Sequence, residues 1–136
     1  MAGYSGTPLL TKLGLKEGIT IVALHSPVAY EDLLGGIPEH STVTTSLRGK
    51  VDFIHLFTRS QSELRKSFPR LKKCLAEHGI LWISWPKGSS KVATDLNENV
   101  VRAIGLATGL VDVKVCAVDQ IWSGLKFVYR VKDRKK

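Results

Sequence analysis

The sequence predicts a three-layer α/β fold built on a mainly parallel sheet. Three observations carry that prediction. Nearly continuous apolar runs of strand length recur along the chain, as in strands buried on both faces. Segments with helical apolar spacing separate them, and parallel neighbours need such crossover helices. The last two strand-like runs follow one another without a helix, which adds an antiparallel hairpin. The 136 residues suit one domain, which can remove roughly two-thirds of its extended surface from water without a metal or disulfide. We assign residues 1–131 to that domain and 132–136 to a basic C-terminal tail.

In chain order, Thr7 is placed to cap a first short helix. Pro8 suits its first position, Leu9, Leu10 and Leu13 form its apolar side, and Gly14 ends it. Ile19–Leu24 is the first buried strand. Ser26-Pro27 opens a second short helix that carries Tyr30, Leu33 and Leu34 and stops at Gly35-Gly36. Thr42–Thr45 is a weak β-branched strand and Val51–Phe57 a stronger one. Ser60 to Glu63 matches a capping box, in which the hydroxyl accepts from the Glu63 N–H while the carboxylate reaches back. The helix it opens shows Leu64, Phe68, Leu71 and Leu75 on one face and runs to near Gly79, with a kink or break expected at Pro69. Ile80–Trp85 is the next buried strand, and a polar loop follows from Pro86 to Thr94. Thr94 or Asp95 caps a helix with Leu96, Val100, Val101, Ile104 and Ala107, stopped by Gly109. Val111–Val118 and Leu125–Val131 close the chain as a hairpin. The whole reads as a Rossmann-like three-layer sheet.

Composition excludes several classes. With 43% hydrophobic and 24% charged residues the chain is neither disordered nor a membrane protein, and no apolar run nears the ~20 residues a membrane span needs. No secretory signal opens it. Cys74 and Cys116 lack metal-site spacing and fit free thiols in the cytoplasm, so no metal is expected. Twenty basic against twelve acidic side chains leave +8, which is compatible with an anionic partner.

Finer motifs carry two resemblances. Val51-Asp52 opening a strand, the helix middle Ser67–Leu75 (SFPRLKKCL), the strand led by Gly79, a further helix and the closing hairpin resemble the second half of class I methyltransferases. Gly3-Tyr-Ser-Gly-Thr-Pro8, Trp85-Pro-Lys87, Thr94-Asp-Leu96, Lys114–Asp119 and Trp122-Ser-Gly124 resemble a small bacterial domain-of-unknown-function family. The second resemblance covers nearly the whole chain and implies a bacterial cytosolic protein without an assigned activity. The first implies a reduced methyltransferase core, yet the family's cofactor-binding pattern is interrupted. Glycines that would follow the first strand are replaced by His25-Ser26-Pro27-Val28, and the acidic residue expected after the second strand by Thr44-Thr45-Ser46-Leu47. Five residues between Thr45 and Val51 also leave no room for a third core strand and its helix.

Ligands of open α/β sheets bind beyond the carboxyl ends of the strands. Candidate ligand-binding residues there are His25, Ser26, Arg59, Trp85, Lys87, Gly88, Ser89, Ser90 and Lys91. Gly88 permits a tight turn, the serines offer donors, the lysines add charge, and helix starts at Ser26 and Ser60 would add partial positive charge. Arg65, Lys66, Arg70 and Lys73 form a basic outer surface that, with the tail, could track a nucleic-acid backbone; a solvated helix face is the simpler reading. His25 is the better-placed acid–base histidine, and His55 reads as a core histidine. Trp85 and Trp122 sit near strand ends, where they could line a pocket. The reading favoured from sequence is a cytoplasmic, non-enzymatic binding or interaction module for an anionic small molecule, without a cofactor. S-adenosylmethionine-dependent methyl transfer through an atypical cofactor loop and salt-dependent nucleic-acid binding are the alternatives. Self-association through the hairpin edge is open.

Overall fold

The computed structural model describes residues 8–134, so the cap expected at Thr7, the start of the Gly3–Pro8 motif and the tail lysines Lys135 and Lys136 lie outside the described residues. In chain order the elements are α1 (Leu9–Leu13), β1 (Thr20–Leu24), α2 (Tyr30–Leu34), β2 (Thr42–Thr44), β3 (Val51–Phe57), α3 (Gln61–Cys74), β4 (Leu75–Pro86), α4 (Glu98–Thr108), β5 (Leu110–Ala117) and β6 (Trp122–Tyr129). They build one six-stranded sheet in the order β2-β1-β3-β4-β6-β5. The first four strands are parallel, and β6 runs antiparallel to both β4 and β5. Thus β2 and β5 are the edges.

Alternation along the strands feeds two cores. Val22, Ile54, Leu56, Leu81, Ile83 and Trp85 pack with Leu64, Phe68 and Leu71 of α3 and Val101 and Ile104 of α4. Ile21, Ala23, Phe53, Phe57 and Trp82 face the other way, against Leu13, Tyr30 and Leu34 from the α1 and α2 side. The short α1 is tied to the sheet by the Trp82 indole, which donates to the Leu13 carbonyl at 2.9 Å. The order of strands reverses between β1 and β3, since the chain leaves β1 for β2 on one side and returns to β3 on the other. That crevice is the topological switch point.

Several boundaries differ from expectation. Pro8 is the residue before α1 and not its first helical residue. The second helix begins at Tyr30, because the Ser26 hydroxyl donates to the Val28 carbonyl at 2.6 Å and holds a turn there. α3 passes through Pro69 without interruption, as that residue lies on the exposed side where water can take the freed carbonyl. It ends at Cys74, not near Gly79, because Leu75 already pairs with Val51 of β3. The extra residues form an irregularity in the ladder. Gly79 fits beneath it because a Cβ there would sit 3.1 Å from the Asp52 carbonyl oxygen. α4 is capped by Asn97, whose side chain accepts from the Val100 N–H at 2.9 Å.

Candidate functional site

A cavity of about 660 Å³ opens at the carboxyl ends of β1 and β3, lined by His25, Pro27, Phe57, Thr58, Arg59, Ser60, Glu63, Ala93 and Trp122. Its position follows from the strand order. His25 is the first residue after β1, and Thr58 to Ser60 join β3 to α3. Trp122 enters from the start of β6, held in place by Asp119, whose carboxylate accepts from the Ile121 and Trp122 N–H groups. Its ring meets Phe57 edge-on, with centroids 5.3 Å apart.

The β3–α3 wall is polar and ordered. Thr58 is buried and donates to Glu63 Oε1 at 2.6 Å. Ser60 Oγ accepts from the Glu63 N–H at 3.2 Å. This is half of the expected capping box, because the carboxylate turns to Thr58 instead of reaching back to Ser60. His25 Nδ1 lies 4.0 Å from the same Glu63 oxygen. Asp95 Oδ1 accepts from the Gln61 N–H at 2.8 Å, and the Thr94 hydroxyl donates to the Arg59 carbonyl at 2.7 Å. Those two residues, expected to cap α4, close the entrance to α3 instead. The first turn of α3 is therefore largely satisfied from within the chain, and α2 begins at Tyr30, so the helix start expected at Ser26 is not there.

The backbone at His25 has φ +58°, a left-handed turn that suits glycine. The chain thus turns after β1 as a glycine loop would, but an exposed imidazole stands in the opening and Pro27 has no N–H to offer. At the end of β2, Thr44 Oγ1 accepts from the Ser46 N–H at 3.0 Å, so that hydroxyl is engaged locally.

Of the residues predicted from sequence, His25 and Arg59 come together in this cavity. Ser26 is occupied by its own turn. Trp85 corrects the expectation that it could line a pocket: it is buried in the α3–α4 core, because its register opposite Ser123 points it to that face. Lys87 to Lys91 fold around a 3-10 turn at Gly88–Ser90. The Ser90 hydroxyl donates to the Lys87 carbonyl and accepts from the Val92 N–H. None of these five residues lines the cavity. Arg65, Lys66, Arg70 and Lys73 lie exposed along α3. Phe57 and Glu63 were not read as site residues. Glu63 carried a signal as the third residue of a helix that starts at the rim, but its role as a cap masked it. Among the described residues no group of three or more His, Cys, Asp or Glu could hold a metal ion, and no helix is long and apolar enough to cross a membrane.

No protein-family model matches the chain, and no curated protein matches it. Solved structures do. One is a SAM-dependent methyltransferase from Aquifex aeolicus, at TM-score 0.63 and 21% identity, covering 88% of this chain and 86% of that one. Another is the magnesium protoporphyrin IX methyltransferase from Synechocystis PCC 6803 with bound SAM, at TM-score 0.61 and 14% identity, covering 90% and 74%. A third is the Burkholderia thailandensis 1,6-didemethyltoxoflavin-N1-methyltransferase with bound S-adenosylhomocysteine, at TM-score 0.56 and 12% identity, covering 88% and 73%. The chain has a class I methyltransferase-like fold.

These neighbours correct the expectation of a frame without a cofactor, since similar folds were solved with SAM or S-adenosylhomocysteine in place. Tested against such a group, the donor set of the cavity fits on the β3–α3 side. It brings together a guanidinium, a carboxylate, a serine hydroxyl and two aromatic rings. It departs on the β1 side, where His25 and Pro27 stand.

Proposed function

We propose that this chain binds S-adenosylmethionine as a methyltransferase-type protein, holding the cofactor through its β3–α3 wall in place of a glycine loop. The observation that carries this reading is the cavity at the switch point, whose lining is complementary to a zwitterionic nucleoside. Arg59 matches a carboxylate, and Glu63 matches an ammonium group or a ribose diol. Phe57 and Trp122 offer aromatic surface to an adenine ring or to a sulfonium cation. When bound, the cofactor supplies an electrophilic methyl group. The chain's own residues bind and orient it, and His25 at the mouth offers a ring nitrogen able to take the proton that an acceptor O–H or N–H loses. The neighbours with SAM or S-adenosylhomocysteine support the cofactor and not any particular acceptor.

Thermal melting tests the reading. A ligand at about a hundredfold excess over its Kd adds about 2.7 kcal/mol, a rise on the order of 10 °C for a domain this size. S-adenosylhomocysteine at millimolar concentration is expected to raise the Tm of the wild type and to raise that of Arg59→Ala much less. An unchanged wild-type Tm would contradict the proposal.

A further inference from the structure

A second cavity, of about 420 Å³, lies on the α3 face of the sheet, beyond the His25 side chain that also borders the first. Its origin is topological. Only residues 45–50 join β2 to β3, so no helix crosses back over β1 and β2 on this side. Leu47 of that link folds down instead, and Arg70 Nη2 donates to its carbonyl at 2.8 Å. The result is a hollow with an apolar lining of Leu24, Leu47, Leu56 and Leu71 and two cations, Lys66 and Arg70, beside it.

The charges here are unbalanced. Among the described residues no carboxylate lines the cavity. Neither cation is in an ion pair, and Lys66 has no hydrogen-bond partner among the described residues. Exposed Arg65 and Lys73 on α3 extend the positive field, and Lys50 joins it by donating to the Lys73 carbonyl at 2.8 Å. A low-dielectric hollow beside cations of one sign concentrates anions at its mouth. A phosphate backbone would use the cations and leave the leucines idle. An organic anion with an apolar body would use both.

We propose that this cavity is a binding site for an amphiphilic organic anion, whose hydrocarbon or aromatic body packs on Leu24, Leu56 and Leu71 while its carboxylate or sulfonate meets Lys66 and Arg70. The site is separate from the S-adenosyl reading and is tested without that cofactor. The probe is 1-naphthoate, followed by its own fluorescence, with neutral 1-naphthalenemethanol as its uncharged counterpart. Wild-type protein is expected to bind the acid with a Kd of about 1 mM or tighter, and the alcohol roughly tenfold more weakly. Lys66 is exposed, so Lys66→Glu leaves the fold intact and is expected to weaken the acid roughly tenfold or more. Half-buried Ser67 also lines the hollow, and Ser67→Phe is expected to fill it and abolish binding. No naphthoate binding up to roughly 10 mM, equal affinity for acid and alcohol, or an unchanged affinity in either variant overturns the proposal.

Discussion

His55 stands in the middle of β3, fully enclosed, with Nδ1 2.7 Å from the Tyr30 hydroxyl and Nε2 2.7 Å from Ser84 Oγ. Its ring stacks on Phe57 at 4.2 Å between centroids. One ring nitrogen accepts and the other donates, so the neutral imidazole satisfies both neighbours while the charged form would be stranded in a dry layer. Burial accordingly holds its pKa down at about 3, against an ordinary value of 6.5. Burial, and to a smaller extent Cys116, pushes the Tyr30 phenol upward, so it stays protonated beside the ring. The linkage runs in one direction. Below pH 6.5 the unfolded chain takes up a proton at this histidine and the folded chain does not, so stability falls with falling pH until about pH 3. The contribution approaches about 1.4 kcal/mol per pH unit in that window and is complete above it. Urea unfolding at pH 4.5, 6 and 7.5 should show this slope in the wild type and a shallower one in His55→Gln. Equal slopes would mean that His55 is not the group responsible. The same enclosure removes His55 and Ser84 from chemistry, since neither side chain reaches solvent.

Among the elements, α4 is fitted to β6 through Gly105. A Cβ there would fall 2.1 Å from Phe127 Cε1 and 2.4 Å from Cζ. The Phe127 ring cannot retreat easily, being fully buried and edge-on to Phe68 at 5.4 Å. Gly105→Ala should gain about 1 kcal/mol of helix propensity and lose more to overpacking, for a net destabilisation of about 1–2 kcal/mol by urea unfolding. A more stable variant would mean that the helix shifts freely on the sheet. Most elements were legible because periodicity reports burial: Ile19–Leu24, Val51–Phe57 and Ile80–Trp85 all lie within or beside strands of the sheet. Their ends were less legible for identifiable reasons. Leu75 continues the helical spacing of Leu64, Phe68 and Leu71 and suits a strand equally well, and only its pairing with Val51 decides. Thr94, Asp95 and Asn97 can all cap a helix. Asn97 does so for α4 because the other two are drawn to Arg59 and Gln61, partners more than thirty residues away.

For the whole molecule, the strand order matters more than any single motif. Placing β3 next to β1 brings His25 and the Thr58–Ser60 turn to one crevice, and the hairpin adds Trp122 to it. The interrupted family pattern at residues 25–28 and 44–47 was visible in the sequence, and so was the short link before Val51. Their consequence was not visible, because it depends on side chains from separate elements converging. Glu63 belongs to the cavity only once α3 is docked, and Phe57 meets Trp122 there only once the hairpin is in place. The serine–lysine loop at residues 87–91, conspicuous as sequence, lies outside that lining, and its Ser90 hydroxyl bonds within its own turn. The short link of residues 45–50 before Val51 carries no helix and leaves the second hollow open beside α3. The switch-point cavity is the proposed seat of the nucleoside cofactor. A backbone amide shift map of isotope-labelled protein titrated with S-adenosylhomocysteine tests it most directly. Saturable shifts are expected, confined to the neighbourhoods of His25, Arg59, Ser60, Glu63, Ala93 and Trp122. An unperturbed spectrum at millimolar ligand, or shifts centred on residues 87–91, would contradict that placement.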